Sequence, residues 1–130
     1  MDVVRVEHKE GDHFEVAMRG HVVHVDQPLD DGGTDLAPTP TELLIASLAS
    51  CVAFYARRYL TRHDLSTEGL AVTASYQIAG RPARVGEIAM TLTVPGGVPE
   101  ERRAPLLAVA SHCTVHNTLQ QAPEVTIELR

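Results

Sequence analysis

Residues 39–63 read TPTELLIASLASCVAFYARRYLTRH. Thr39 has the character of a helix cap, Pro40 stands at the first helical position, and Glu42 follows three residues after the cap, which completes a capping box. Beyond Pro40 neither Gly nor Pro interrupts the stretch, so the pattern predicts one long helix. The helix is apolar nearly all round until Tyr55 and then charged at Arg57, Arg58 and Arg62, which predicts a central, buried first half. Its uncharged run, Leu43 to Ala56, is shorter than the roughly 20 residues that cross a bilayer. It therefore reads as a core helix, and no membrane partner is expected.

Upstream of this helix, DQPLDDGGTDLAP from Asp26 to Pro38 is rich in turn formers and has no periodicity, as an exposed loop would be. Further upstream, Phe14, Val16 and Met18 alternate with polar residues between turns at Glu10-Gly11-Asp12 and Arg19-Gly20, which predicts two or three short strands. Downstream, Leu70, Val72, Ala74, Tyr76 and Ile78 alternate, Gly80-Arg81-Pro82 breaks the chain, and Ile88, Met90, Leu92 and Val94 alternate again. That is the pattern of a long antiparallel hairpin. Pro99, Glu100 and Glu101 open a second helix that runs to about His112, and Val125, Ile127 and Leu129 predict a closing strand. The fold class is therefore α+β, with a mostly antiparallel sheet packed on the long buried helix.

A chain of 130 residues fits a single domain, 1–130. With 17 acidic against 11 basic residues its formal charge is −6, and no basic run could follow a phosphate backbone, so nucleic acid is a poor partner. The opening MDVVRVEHKE is charged from its second residue and lacks the apolar core of a secretory signal, which leads us to expect the cytoplasm.

The two cysteines, Cys51 and Cys113, are the candidate chemistry. In a reducing compartment a static structural disulfide is not expected, which leaves two buried thiols or a redox pair. Cys51 lies in mid-helix, away from the amino terminus whose dipole would lower its pKa. Ser47, Leu48, Phe54, Tyr55 and Arg58 fall near its face, Arg58 about two turns away as a distant counter-charge. Cys113 sits in SHCTVHNTL, where His116 would share its face if the segment is helical, and a histidine beside a thiol favours thiolate. The same C-x-x-H spacing would be a sparse zinc half-site, but no C-x-x-C pair accompanies it, so no metal is assigned. Glu42 is explained by its capping box. His21 and His24, on an early strand of irregular alternation, are left without a role.

With those residues in view, the chain resembles the OsmC/Ohr family, the osmotically inducible and organic hydroperoxide resistance proteins. APTPTELLIASLASC is similar to that family's helix entry and first-cysteine block, HCTVHNTL is similar to its second, and the order of elements between them also fits. The resemblance implies an intertwined homodimer in which sheets from both subunits wrap two central helices. It implies a peroxidase in oxidative stress defence, with Cys51 and Cys113 as catalytic residues. Cys51 thiolate would attack an organic hydroperoxide and become a sulfenic acid, Cys113 would close a disulfide on it, and an external thiol or dithiol would reset the pair without metal or cofactor.

In the family's best-characterised peroxidases a Glu directly follows the helix-entry Pro and works with an Arg from an upstream loop. Here Thr41 follows Pro40, Glu42 is one place later, and residues 26–38 contain no Arg, so Arg19, Arg57 or Arg58 would have to serve. This form is closer to the OsmC-like branch, which also carries T-E-L-L and C-x-V-H blocks. The supporting candidates are accordingly His116, Glu42, Thr41 and Arg58. The competing function is a non-catalytic module that binds a small apolar ligand at the dimer interface.

Overall fold

The computed structural model describes residues 2–130. The chain divides into two compact units, Met1–Leu44 and Ile45–Arg130, each built around antiparallel strands.

In the first unit β1 (Val4–Glu10), β2 (His13–Met18) and β3 (His21–Val25) form a three-stranded sheet in chain order. The expected meander of short strands is what forms. Gly11, at φ 55, and Arg19-Gly20, at φ 48 and 80, make the two turns at the positions where turn formers stand in the sequence. Because β2 pairs with β3 in the register Phe14↔Val25, Glu15↔His24 and Val16↔Val23, Glu15 and His24 share one face and Phe14, Val16, Val23 and Val25 the other.

The loop that follows is folded around one carboxylate. Asp26 is 1% exposed. It accepts from the Gln27 N–H at 2.7 Å, the Thr34 hydroxyl at 2.7 Å and the Leu36 N–H at 3.1 Å. A Cβ at Gly33 would lie 2.0 Å from the Gln27 carbonyl oxygen, so only glycine lets the loop close on itself there. A short 3-10 turn, Leu29–Asp31, lies inside the same loop.

Helix α1 spans Pro40–Arg62, as the uninterrupted helical pattern requires. The capping box is formed in both directions: the Glu42 N–H donates to Thr39 Oγ1 at 3.1 Å, and the Thr39 N–H donates to Glu42 Oε1 at 2.9 Å. By length and composition α1 would suffice to cross a membrane. Here Ile45, Leu48, Val52, Ala56, Tyr59 and Leu60 are buried as a helical stripe instead, which is how a core helix behaves. Burial of its uncharged run, Leu43 to Ala56, is incomplete within one chain, since Leu44 stays 40% and Phe54 50% exposed.

In the second unit β4 (Ala71–Ala79) and β5 (Arg84–Thr93) make the expected hairpin, with Val72↔Leu92, Ala74↔Met90 and Tyr76↔Ile88 in register. Val72, Ile88, Met90 and Leu92 pack against a core formed by α1 residues Leu48, Val52, Ala56, Tyr59 and Leu60 with Leu106, Ala110 and Cys113. Helix α2 (Glu100–Ser111) supplies Leu106 and Ala110, and a short helix α3 (Thr114–Gln120) follows.

The architecture is α+β with antiparallel strands and a long helix, as expected, and the described strands form one sheet of three strands and one of two. One expectation is corrected. The closing strand is not found among the described residues: residues 121–130 form no strand, and Val125, Ile127 and Leu129 are 76%, 94% and 98% exposed. Alternation alone makes a strand only where a sheet edge offers it hydrogen bonds.

Candidate functional site

The site is built in the second unit from α1 and the link between α2 and α3. Cys51 is partly exposed on α1, whereas Cys113 is fully buried, and both thiols are free. The chain brings them together: Cys51 packs on the core cluster that contains Cys113, and its nearness adds to the rise of the Cys113 pKa.

Cys113 is placed by a break in the helical backbone. Helix α2 stops at His112, with φ −104 and ψ 31, and Cys113 is extended, with φ −71 and ψ 157, as the N-cap of α3. Its sulfur accepts the His116 backbone N–H at 3.4 Å. Burial pushes the Cys113 thiol above its ordinary pKa. The His116 N–H works against that shift, and the neighbouring Cys51 adds to it. Cys113 therefore rests as a protonated thiol at neutral pH.

The polar residues of SHCTVHNTL hold this break in shape. The α2 carbonyl groups left over at its end are taken up by side chains: His112 Nδ1 pairs with the Ala108 carbonyl at 2.5 Å, Asn117 Nδ2 donates to the His112 carbonyl at 3.3 Å, and His116 Nδ1 pairs with the Ser111 carbonyl. The contact between His116 and Cys113 is thus made by the backbone, while the imidazole serves the α2 terminus. The ring and the thiol of this C-x-x-H pair are engaged with different backbone groups.

The other sequence candidates fall elsewhere. Arg58 lies over the Phe54 ring at 5.4 Å. Glu42 and Thr41 belong to the first turn of α1, where the Glu42 carboxylate is engaged in the capping box. Arg19 sits in the turn between β2 and β3, and Arg57 is exposed on α1. His13 Nε2 meets His24 Nδ1 at 2.9 Å.

Sequence reasoning placed Tyr55 near the face of Cys51 but gave it no role; its hydroxyl meets Thr114 Oγ1 at 3.1 Å and ties α1 to α3 beside the two thiols. The i, i+4 spacing from Cys51 to Tyr55 is the signal that was available. Next to this arrangement a cavity of about 180 Å³ has a mostly apolar lining that includes Val52, Val72, Met90 and Leu92, with Ser111 and His116 as its polar members.

Two blocks in chain order, one paired-cysteine geometry and one α+β architecture now stand beside a match to the OsmC-like protein family over residues 32–128. The chain belongs to the OsmC-like family. Solved structures share the fold. One, a Psychrobacter arcticus protein assigned to osmotic stress induction and detoxification response, is 22% identical, covers 91% of this chain and 88% of its own, and has a TM-score of 0.84. A Legionella pneumophila organic hydroperoxide resistance protein OsmC is 20% identical over 92% of this chain and 89% of its own, with a TM-score of 0.68. A Vibrio cholerae OsmC-like protein of unknown function is 10% identical over 91% and 92%, with a TM-score of 0.71. No curated protein matches the sequence at a significant level. Within this family one fold therefore includes hydroperoxide resistance proteins and proteins of unknown function, and the chemistry has to be argued from the site.

Proposed function

We propose that this OsmC-like protein is a cytoplasmic thiol-dependent peroxidase that reduces organic hydroperoxides through Cys51 and Cys113. The observation that carries the reading is the pairing of a reachable thiol with a buried one: Cys51 is partly exposed, Cys113 is fully buried, and each is free. Cys51 thiolate attacks the terminal peroxide oxygen, an S–O bond forms as the O–O bond breaks, and the alcohol leaves after taking a proton. Cys113 then forms the disulfide as the Cys51 S–O bond breaks and water departs, and an external dithiol reduces the disulfide. The apolar lining of the neighbouring cavity favours an alkyl or aryl hydroperoxide over hydrogen peroxide.

The reading includes a homodimer and one domain made of both units of the chain. It is supported by apolar side chains that a single chain leaves in water, Leu44 and Phe54 on α1 and Ile127 and Leu129 in the tail.

Consumption of cumene hydroperoxide and of hydrogen peroxide by the purified protein, with a dithiol as reductant, tests the reading. The parent is expected to prefer the organic peroxide and Cys51→Ser to lose turnover at least a hundred-fold, since the attacking sulfur is gone. Equal, slow loss of peroxide with parent and Cys51→Ser would refute it and favour the ligand-binding module.

A further inference from the structure

We propose that Tyr55 and Thr114 are a positioning pair that sets how fast the Cys51–Cys113 disulfide closes, an inference that rests on the two-cysteine reading above. Tyr55 stands four residues after Cys51, one turn along the same face of α1, and Thr114 is the residue next to Cys113. The hydroxyl pair at 3.1 Å thus sits one turn from Cys51 on α1 and one residue from Cys113 at the start of α3, and Cys51 packs on the cluster that holds Cys113. The rest of α3 grips the molecule weakly: it has seven residues, none of them buried, and Val115 is its one apolar side chain against the core cluster. Short helices with few buried contacts open easily, so an added tie raises the share of time that Cys113 spends in register.

Closure needs that register. The Cys113 sulfur must come within bonding distance of the Cys51 sulfur, with the two Cβ atoms about 3.8 Å apart, as the S–S bond forms and the Cys51 S–O bond breaks. The hydroxide that leaves takes the Cys113 proton and departs as water. The tie enters no bond of this step and acts only by holding α3 on α1. Removing it lengthens the life of the sulfenic acid.

Four variants isolate the tie: Tyr55→Phe and Thr114→Val remove one hydroxyl each with little change of shape, their double variant removes both, and Thr114→Ser keeps the hydroxyl. Two quantities are read in each. The first is the rate at which the Cys51 sulfenic acid, formed with one equivalent of cumene hydroperoxide and trapped with dimedone at timed intervals, gives way to disulfide, divided by the rate of the first step. The second is the equilibrium constant for Cys51–Cys113 disulfide formation with oxidised glutathione, which releases two reduced glutathione and needs no peroxide.

Both quantities should fall about five-fold in Tyr55→Phe and in Thr114→Val, the size one ordinary hydrogen bond supplies. The double variant should fall no further, and Thr114→Ser should match the parent. Unchanged closure and an unchanged glutathione equilibrium would overturn the inference, as would losses that simply add in the double variant. If the parent forms no sulfenic acid, the peroxidase reading fails, and the glutathione equilibrium still decides the positioning pair by the same pattern.

Discussion

Asp26 is a buried carboxylate whose charge is matched by donors rather than by a cation. The Thr34 hydroxyl is the largest influence holding its pKa down, to about 2 from 3.8, with the Leu36 and Gln27 N–H groups helping and burial opposing. A carboxylate whose pKa is lowered in the folded state stabilises that state above its unfolded pKa, and the contribution is lost as pH falls through the folded value. Between 3.8 and about 2 the protein should therefore lose stability on acidification. Asp26→Asn should lower the urea midpoint at neutral pH, and its deficit against the parent should shrink across that acid window. A deficit that stays constant from neutral pH to the acid limit would contradict this account. At the same scale burial separates the two thiols: Cys51 is partly exposed, while Cys113 is fully buried and held above its ordinary pKa.

Elements are held by signals of very different range. The capping box at the start of α1 is local, and Thr39→Ala should cost about 1 kcal/mol of stability, measured by urea unfolding, because the Glu42 N–H loses its acceptor. No change in the midpoint would mean that water replaces the cap at no cost. That box was fully legible in the sequence, and so was the hairpin, since alternation at Val72, Ala74 and Tyr76 against Leu92, Met90 and Ile88 fixes both faces and register. The α2 to α3 break was not. Its geometry depends on His112, His116 and Asn117 reaching back to carbonyl groups of α2, and the sequence offers only a polar cluster in which a histidine stands three residues after a cysteine. Expecting the His116 imidazole at the thiol was reasonable for one continuous helix. The extended Cys113 interrupts that helix and brings the His116 N–H to the sulfur instead. The tail, Val125 to Leu129, has the alternation of a strand but no partner edge among the described residues, so pattern and outcome part there for want of hydrogen-bonding neighbours.

For the molecule as a whole, the unpaired tail and the exposed apolar positions of α1 bear on assembly. A second copy that covers them would restore the burial expected of the first half of α1. Light scattering should give a mass of twice 14.1 kDa, and deletion of residues 124–130 should shift the protein toward monomer; a monomeric parent would contradict the homodimer. Membership of the OsmC-like family covers residues 32–128, and with it the two cysteine blocks, but relatives of unknown function share the fold, so chemistry is the deciding ground. The most direct test is a single turnover: reduced protein is mixed with one equivalent of cumene hydroperoxide, quenched with an alkylating agent and analysed by peptide mass mapping. The account predicts loss of one equivalent of peroxide and a Cys51–Cys113 disulfide within one chain. Peroxide left intact with both cysteines alkylated would contradict it.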